Sequence, residues 1–503
     1  MAVPGRISAG PGGPAKSGSS CLHLMLRSLR HCWNSLFIPG AVRICSAAWV
    51  ITVMGCSVGP AYQRPETNAP TAWRTADDHQ KATWPAADWW HGFGSSQLDE
   101  LIAEAEGANY DLAAAIARVR EADAQARIAG APLLPSVGAT AGVTRQRTGP
   151  SGLSGRVRFP PDTTLVNPAI SASYEFDFWG KNRASLEAAK ASALASRYDE
   201  QVVELTVVTA VATTYFQILE LRDRLTVAQS NITAAQELLS ALQAGQAAGT
   251  ETVLDVVQQK TAVAALKAQV PPLTQQLQQS LDALAILIGR SPEALQQPAG
   301  TLSDLSVPLV APGLPSELLA RRPDIAEAEA QLMAANADIK VARATFFPSI
   351  SLTAEGGITS LALAGITGPA GAVYAVTAGL TQSIFSGGAL QGKLEYSQAR
   401  YDELLQNYRK AVLSAFGDVE DALIATQQTA LLAQREEDTV AEARKAYAIS
   451  TAQLEAGTVD LQTVLNTENA LFPAEDSLAQ ARFAQLQATV SLYKALGGGW
   501  ERK

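Results

Sequence analysis

From Tyr198 onward the apolar positions fall at spacings of 4, 3, 4, 3, 4 and 3: Tyr198, Val202, Leu205, Thr209, Ala212, Phe216 and Leu219. This is a heptad seam, not the wider stripe of an ordinary surface helix. A second stripe, Val208, Val211, Tyr215 and Ile218, turns an adjacent face toward another neighbour. The seam returns with its phase reversed at Leu394, Ser397, Tyr401, Leu404, Tyr408, Ala411 and Ala415. Both seams lie in stretches free of proline, Asn182–Gln246 and Leu390–Glu455. At about 1.5 Å per residue each predicts a helix roughly 100 Å long. Their small Ala and Thr residues suit helices packed closely side by side.

A different pattern precedes each long stretch. Leu133–Arg147 and Thr164–Phe178 alternate poorly but are rich in Val, Thr and Ser, and they flank a Gly/Pro/Ser segment, Gly149–Asp162. This predicts a strand hairpin. Phe347–Ile358 and Val373–Phe385 repeat it around Thr359–Gly371. Such strands exceed the globular norm of about 5–6 residues and reach the about 9–11 that a tilted membrane-spanning strand needs. Shorter helices are predicted over Gln97–Gly130, Val253–Ile288, Glu317–Ala344 and Leu461–Leu496. Their lengths let two of them stack end to end beside each long helix.

The order of elements is duplicated. Leu134-Pro135-Ser136 returns as Phe347-Pro348-Ser349, Leu242-Gln243-Ala244-Gly245 as Leu454-Glu455-Ala456-Gly457, and Thr252-Val253-Leu254-Asp255 as Thr463-Val464-Leu465-Asn466, with all matched pairs 207 to 213 residues apart. The chain divides accordingly into an N-terminal segment 56–96, a first repeat 97–296, a Pro-rich linker 297–316, a second repeat 317–497 and a tail 498–503. Two hairpins give four strands per chain, and four cannot close a barrel. Open strand edges are not tolerated in lipid, so the chain must associate. Two copies would make eight strands and three would make twelve; because eight-stranded interiors are filled by side chains, a conducting pore favours three or more.

Composition narrows the chemistry. Of 503 residues, 47% are hydrophobic and 17% charged, which excludes a disordered chain. Cys occurs at 21, 32, 45 and 56 and His at 23, 31, 79 and 91, so 412 residues after His91 hold neither. That removes Cys nucleophiles, zinc fingers and His acid–base pairs from most of the chain. No phosphate-binding Gly loop, metal-ligand spacing or nucleophile elbow is present, and an enzyme is not expected. Residues 1–55 carry Arg6, Lys16, Arg27, Arg30 and Arg43 but no acid, and Ile44–Gly55 is apolar. This is a secretory signal, too short to span a membrane, and Met25 makes a more typical start for it than Met1. Its removal leaves 448 residues with 34 basic and 48 acidic side chains, a net charge near −14, which argues against nucleic acid as a partner.

Several motifs are specific. Val53-Met54-Gly55-Cys56 resembles a lipobox, with Val58-Gly59-Pro60, Tyr62 and Pro65 following. Asp88-Trp89-Trp90 with Phe93 and Leu98, Arg321-Arg322-Pro323-Asp324-Ile325, Phe346-Phe347-Pro348-Ser349 and Tyr493-Lys494-Ala495-Leu496-Gly497-Gly498-Gly499-Trp500 complete the set. From Cys56 to the C-terminus the chain resembles the TolC-like outer-membrane efflux proteins of the OprM/NodT lipoprotein type. The resemblance implies an α+β membrane protein: a homotrimer with a shared twelve-stranded β-barrel and a long periplasmic α-helical coiled-coil barrel. It implies the exit duct of a tripartite pump, in the outer membrane and reaching into the periplasm. Its partners would be a periplasmic adaptor and an inner-membrane efflux transporter of the RND type.

Site residues follow from the same resemblance. Cys56 would carry the covalent lipid, with no cofactor and no metal. Leu254, Asp255, Leu465 and Asn466 map onto the periplasmic gate, where Asn466 departs from the usual Asp and leaves its ring uncharged. Gly245, Gly249, Thr250, Gly457, Thr458 and Asp460 map onto the tip that meets the adaptor. Arg322 and Asp324 are expected to pair around a helix start. Two other functions fit parts of the pattern: the periplasmic adaptor itself, and a non-conducting structural coiled coil. The duplicated hairpins argue against the adaptor.

Overall fold

The computed structural model describes residues 58–67, 69–74, 84–147, 162–310, 313–360 and 371–502. Cys56 and the lipobox lie outside them, as do most of the two predicted hairpin loops.

The expected helix over 97–130 is two helices, α1 (Ser96–Ala108) and α2 (Tyr110–Gly130). Asn109 divides them because its short amide satisfies more groups as a cap than inside a helix. Its backbone is extended, and its Oδ1 accepts from the amides of Asp111 and Leu112 at 2.9 and 3.0 Å. A single turn of 3-10 helix around Pro132 then delays the first strand. The strands are β1 (Ser136–Arg147), β2 (Asp162–Phe176), β3 (Ser349–Ile358) and β4 (Ala372–Thr381). They form one antiparallel sheet in the order β1-β2-β3-β4, so both hairpins join and each outer strand keeps one unpaired edge.

The long helices are α3 (Lys181–Ala248) and α6 (Ala389–Glu455), of 68 and 67 residues. Each is followed by a 35-residue helix, α4 (Val253–Leu287) and α7 (Leu461–Ala495). In the second repeat the helix expected from Glu317 is a one-turn helix, Pro315–Leu318, then α5 (Pro323–Ala344). Pro323 explains the restart, since proline suits the first helical turn and not an interior. Arg322 pairs with Asp324 at 2.7 Å across that start, as expected, and also reaches Asp418 of α6 at 3.0 Å.

Both stripes on α3 are used. Val208, Val211, Tyr215 and Ile218 of one, and Thr209, Ala212, Phe216 and Leu219 of the other, are buried. They meet Phe93, Leu98, Leu277, Leu284 and Tyr493 in the largest core cluster, where Trp89 stacks on Tyr493 at 4.7 Å. This accounts for an apolar window in α3 that by length and composition would suit a membrane span. Half of that window is buried, packed against helices from both repeats. The connectivity leaves the sheet at the start of α3 and the α3–α4 and α6–α7 turns at the far end, about 100 Å away at the helical rise.

Candidate functional site

The strands alternate far better in space than in sequence. Residues directly opposite in an antiparallel sheet share a face, and the register sorts every position. One face carries Val137, Ala139, Ala141 and Val143 of β1, Ile170, Ala172, Tyr174 and Phe176 of β2, Ile350, Leu352 and Ile358 of β3, and Tyr374, Val376 and Leu380 of β4. The opposite face carries Ser136, Thr140, Thr144, Ser171, Ser173, Ser351, Thr353 and Thr377. Ser136 and Ser173 touch through their hydroxyls at 2.8 Å on that second face, and Tyr174 meets Phe176 edge-on at 5.0 Å on the first. An apolar outside and polar inside is what a transmembrane barrel wall requires. At the helix end of the wall Trp179 stacks on Phe347 at 4.7 Å and donates to the Pro348 carbonyl at 2.8 Å, an amphipathic ring of the kind that sits at a membrane interface.

At the far end the two turns are built alike. Gly249 and Gly457 adopt φ of +81° and +70°, which only glycine enters without strain. The Thr250 amide donates to the Gly245 carbonyl, and the Thr458 amide to the Gln453 carbonyl, both at 2.9 Å. The next helices start equivalently, at Val253 and Leu461, but with their caps exchanged. In α4 Thr252 is the N-cap, and Asp255 accepts from its amide at 3.0 Å and its hydroxyl at 2.6 Å. In α7 Asp460 is the N-cap and accepts from the Thr463 amide and hydroxyl at 3.0 and 2.7 Å. Those bonds, the hydroxyl's first, hold the Asp460 carboxyl below its usual range.

This geometry corrects the pairing of Asp255 with Asn466. Counted from its turn, Asp255 corresponds to Thr463, and Asn466 lies three residues deeper. The two therefore do not stand at one level. Leu254 and Asn466 are exposed, and Asn466 accepts from Gln462 at 3.0 Å. Leu465 turns inward instead, packing with Leu242, Val256 and Leu461, so it supports the tip and does not line it.

Just behind the tip lies a buried polar pair; from sequence Glu468 is only an acid close to the gate, and its burial beside Gln259 is not legible. Gln259 of α4 and Glu468 of α7 are both buried, and Gln259 donates to the Ala235 carbonyl at 3.0 Å. Gln259 Oε1 and Glu468 Oε2 have no hydrogen-bond partner among the described residues. Burial raises the Glu468 pKa against a smaller opposing bond from Gln259. Among the described residues no group of three or more His, Cys, Asp or Glu is placed to hold a metal.

Residues 101–290 and 314–498 match the family described as outer membrane efflux protein. The chain belongs to that family. It is 41% identical over 454 residues to the pyoverdine export outer membrane protein OpmQ of Pseudomonas aeruginosa, covering 89% of this chain and 94% of OpmQ. It is 30% identical to the cation efflux system protein CusC of Escherichia coli O6:H1, over 90% and 97% of the two chains. Among solved structures it resembles the outer-membrane channel OprN, with TM-score 0.82, 28% identity and coverage of 88% and 100%. It also resembles the open state of the Neisseria gonorrhoeae MtrE channel, with TM-score 0.80, 29% identity and coverage of 89% and 99%. This outer membrane efflux protein is thus a TolC-like channel of the expected fold class, its four strands a third of a shared twelve-stranded barrel. It is the outer-membrane exit duct of an efflux system and extends into the periplasm.

Proposed function

We propose that three copies of this chain, each acylated at Cys56, form a passive conduit completed by a periplasmic adaptor and an RND-type inner-membrane transporter. The single observation that carries the reading is the sheet with two unpaired edges, β1 and β4, at one end of a helical rod closed by capped turns at the other. Edge β1 of one copy pairs with β4 of the next, which removes every open edge from lipid. At the tip Leu254, Asp255 and Asn466 border the entrance. The turn residues Gly245, Gly249, Thr250, Gly457, Thr458 and Asp460 meet the adaptor. No catalytic step and no cofactor is required, since transport energy enters at the inner membrane.

The relatives named for pyoverdine export, at 41% and 40% identity, make a secreted pyoverdine-type solute the first cargo to test. Purified trimer in planar bilayers should conduct, with conductance rising on addition of adaptor. A trimer that never conducts, even with tip substitutions, would reject the conduit. Cys56→Ser should abolish palmitate labelling, and persistent labelling would reject the anchor.

A further inference from the structure

The register assigns the bore a fixed charge. Along the polar face of the four strands nearly every side chain is neutral: Ser, Thr, Asn, Gln, Gly, Ala and single Leu and Val residues. Two carboxylates break that pattern, Glu175 of β2 and Glu355 of β3. Glu175 is neutralised by Lys181 at 2.5 Å. Glu355 is exposed. It faces Ser171 on one side and Ala375 on the other, with Gly138 next beyond Ser171. None of these carries a charge or is long enough to cover it. The charged side chains on the opposite, lipid face, Arg145, Arg147 and Asp162, all sit at the loop end of the sheet and cannot reach across the wall.

We propose that Glu355 is a charge-selectivity determinant of the duct, its three copies forming an anionic ring inside the barrel that favours cations over anions. The proposal rests on the conduit reading. Twelve strands about 4.8 Å apart and tilted about 40° enclose a wall roughly 24 Å across. A glutamate projecting inward from that wall approaches the axis to within about one Debye length at physiological salt, about 8 Å. The ring's potential therefore spans the bore at that ionic strength. At 1 M salt the screening length falls to about 3 Å, and the potential retreats to the wall. Low-dielectric walls concentrate the field in the channel. The ring is thus a filter by charge, and one that concentrated salt switches off.

Reversal potentials across planar bilayers under a salt gradient test this, using the purified trimer and its Glu355→Gln, Glu355→Lys and Thr377→Glu variants. In about 0.1 M salt the cation-to-anion permeability ratio should fall by about twofold or more in Glu355→Gln, drop further in Glu355→Lys, and rise in Thr377→Glu. All four ratios should converge at about 1 M. Equal ratios for wild type, Gln and Lys at low salt would overturn the role. That result is distinct from a failure of the conduit reading, in which the wild-type trimer passes no current.

Discussion

Arg502, in the C-terminal tail, donates to the carboxylate of Glu329 at 2.7 Å, and that carboxylate is buried on α5. Arg64, from the N-terminal segment, approaches the same group to 3.2 Å. One buried acid therefore ties both the N-terminal segment and the C-terminal tail to the second repeat. Each arginine is partly exposed, so losing either alone leaves a partner in place and should cost under about 1 kcal/mol. Losing both strands a buried carboxylate, which costs about 3 kcal/mol. Arg64→Met and Arg502→Met should consequently be non-additive in denaturant midpoints of the trimer. Simple addition of the two single effects would show that the ends are held by other contacts.

Gly497 accounts physically for the glycine run near the C-terminus. Its φ is +90°, and a Cβ there would lie 1.9 Å from the Arg321 carbonyl oxygen. That carbonyl belongs to backbone that cannot move aside without disturbing the start of α5. Gly497→Ala should therefore abolish assembly, read as loss of the folded trimer in detergent. Gly392→Ala, at a helical position with nothing within 4 Å of the added carbon, should leave assembly intact. A stable Gly497→Ala trimer would contradict the packing described.

Asp255 offers a choice between charge and cap. Its carboxylate closes a capping box with Thr252. Asp255→Ala removes the reciprocal bonds and should weaken the start of α4 by about 1 kcal/mol, raising basal leak through the tip. Asp255→Asn keeps an acceptor oxygen but discards the charge. If the tip is held by capping, Asn should restore low leak; if it is held by charge, Asn should leak like Ala. Single-channel recordings of the two variants separate these outcomes, and no change in either would remove Asp255 from the gate.

Much of this was legible in sequence because long helices write their periodicity plainly. The two stripes from Tyr198 to Leu219 became the buried faces of α3, and the ends of all four main helices fell within a few residues of expectation. The strands were harder. Ala, Gly, Ser and Thr occupy both faces of a barrel wall, so alternation blurs until the register sorts the rows. Asn109 and Pro323 are punctuation that a run of apolar residues masked. The tip misled for a different reason: the duplicated Thr-Val-Leu motif aligns three residues away from the shared turn geometry. Glu355 was invisible, and Glu468 was legible only as an acid close to the gate, because nothing local marks a single glutamate as bore-facing or buried.

Glu468 yields the last prediction. Two acceptors, Gln259 Oε1 and Glu468 Oε2, are buried without partners among the described residues, and a proton on Glu468 would turn one into a donor. Tyr447 of α6 is the titratable neighbour, and burial pushes it upward too, beyond any physiological range. Because the Glu468 pKa is raised in the folded state, the fold binds that proton more tightly than the unfolded chain does. Its stabilising effect is complete below the ordinary glutamate value of 4.5 and is lost as pH climbs through the raised one. The trimer's thermal midpoint should thus fall as pH rises from about 4.5 through the raised Glu468 value. Glu468→Gln supplies a permanent neutral donor, so it should flatten that slope and raise the midpoint on its alkaline side. A wild-type slope unchanged by Glu468→Gln would mean that the carboxyl is already ionised behind the tip, with its charge satisfied by a group or water that this geometry does not supply.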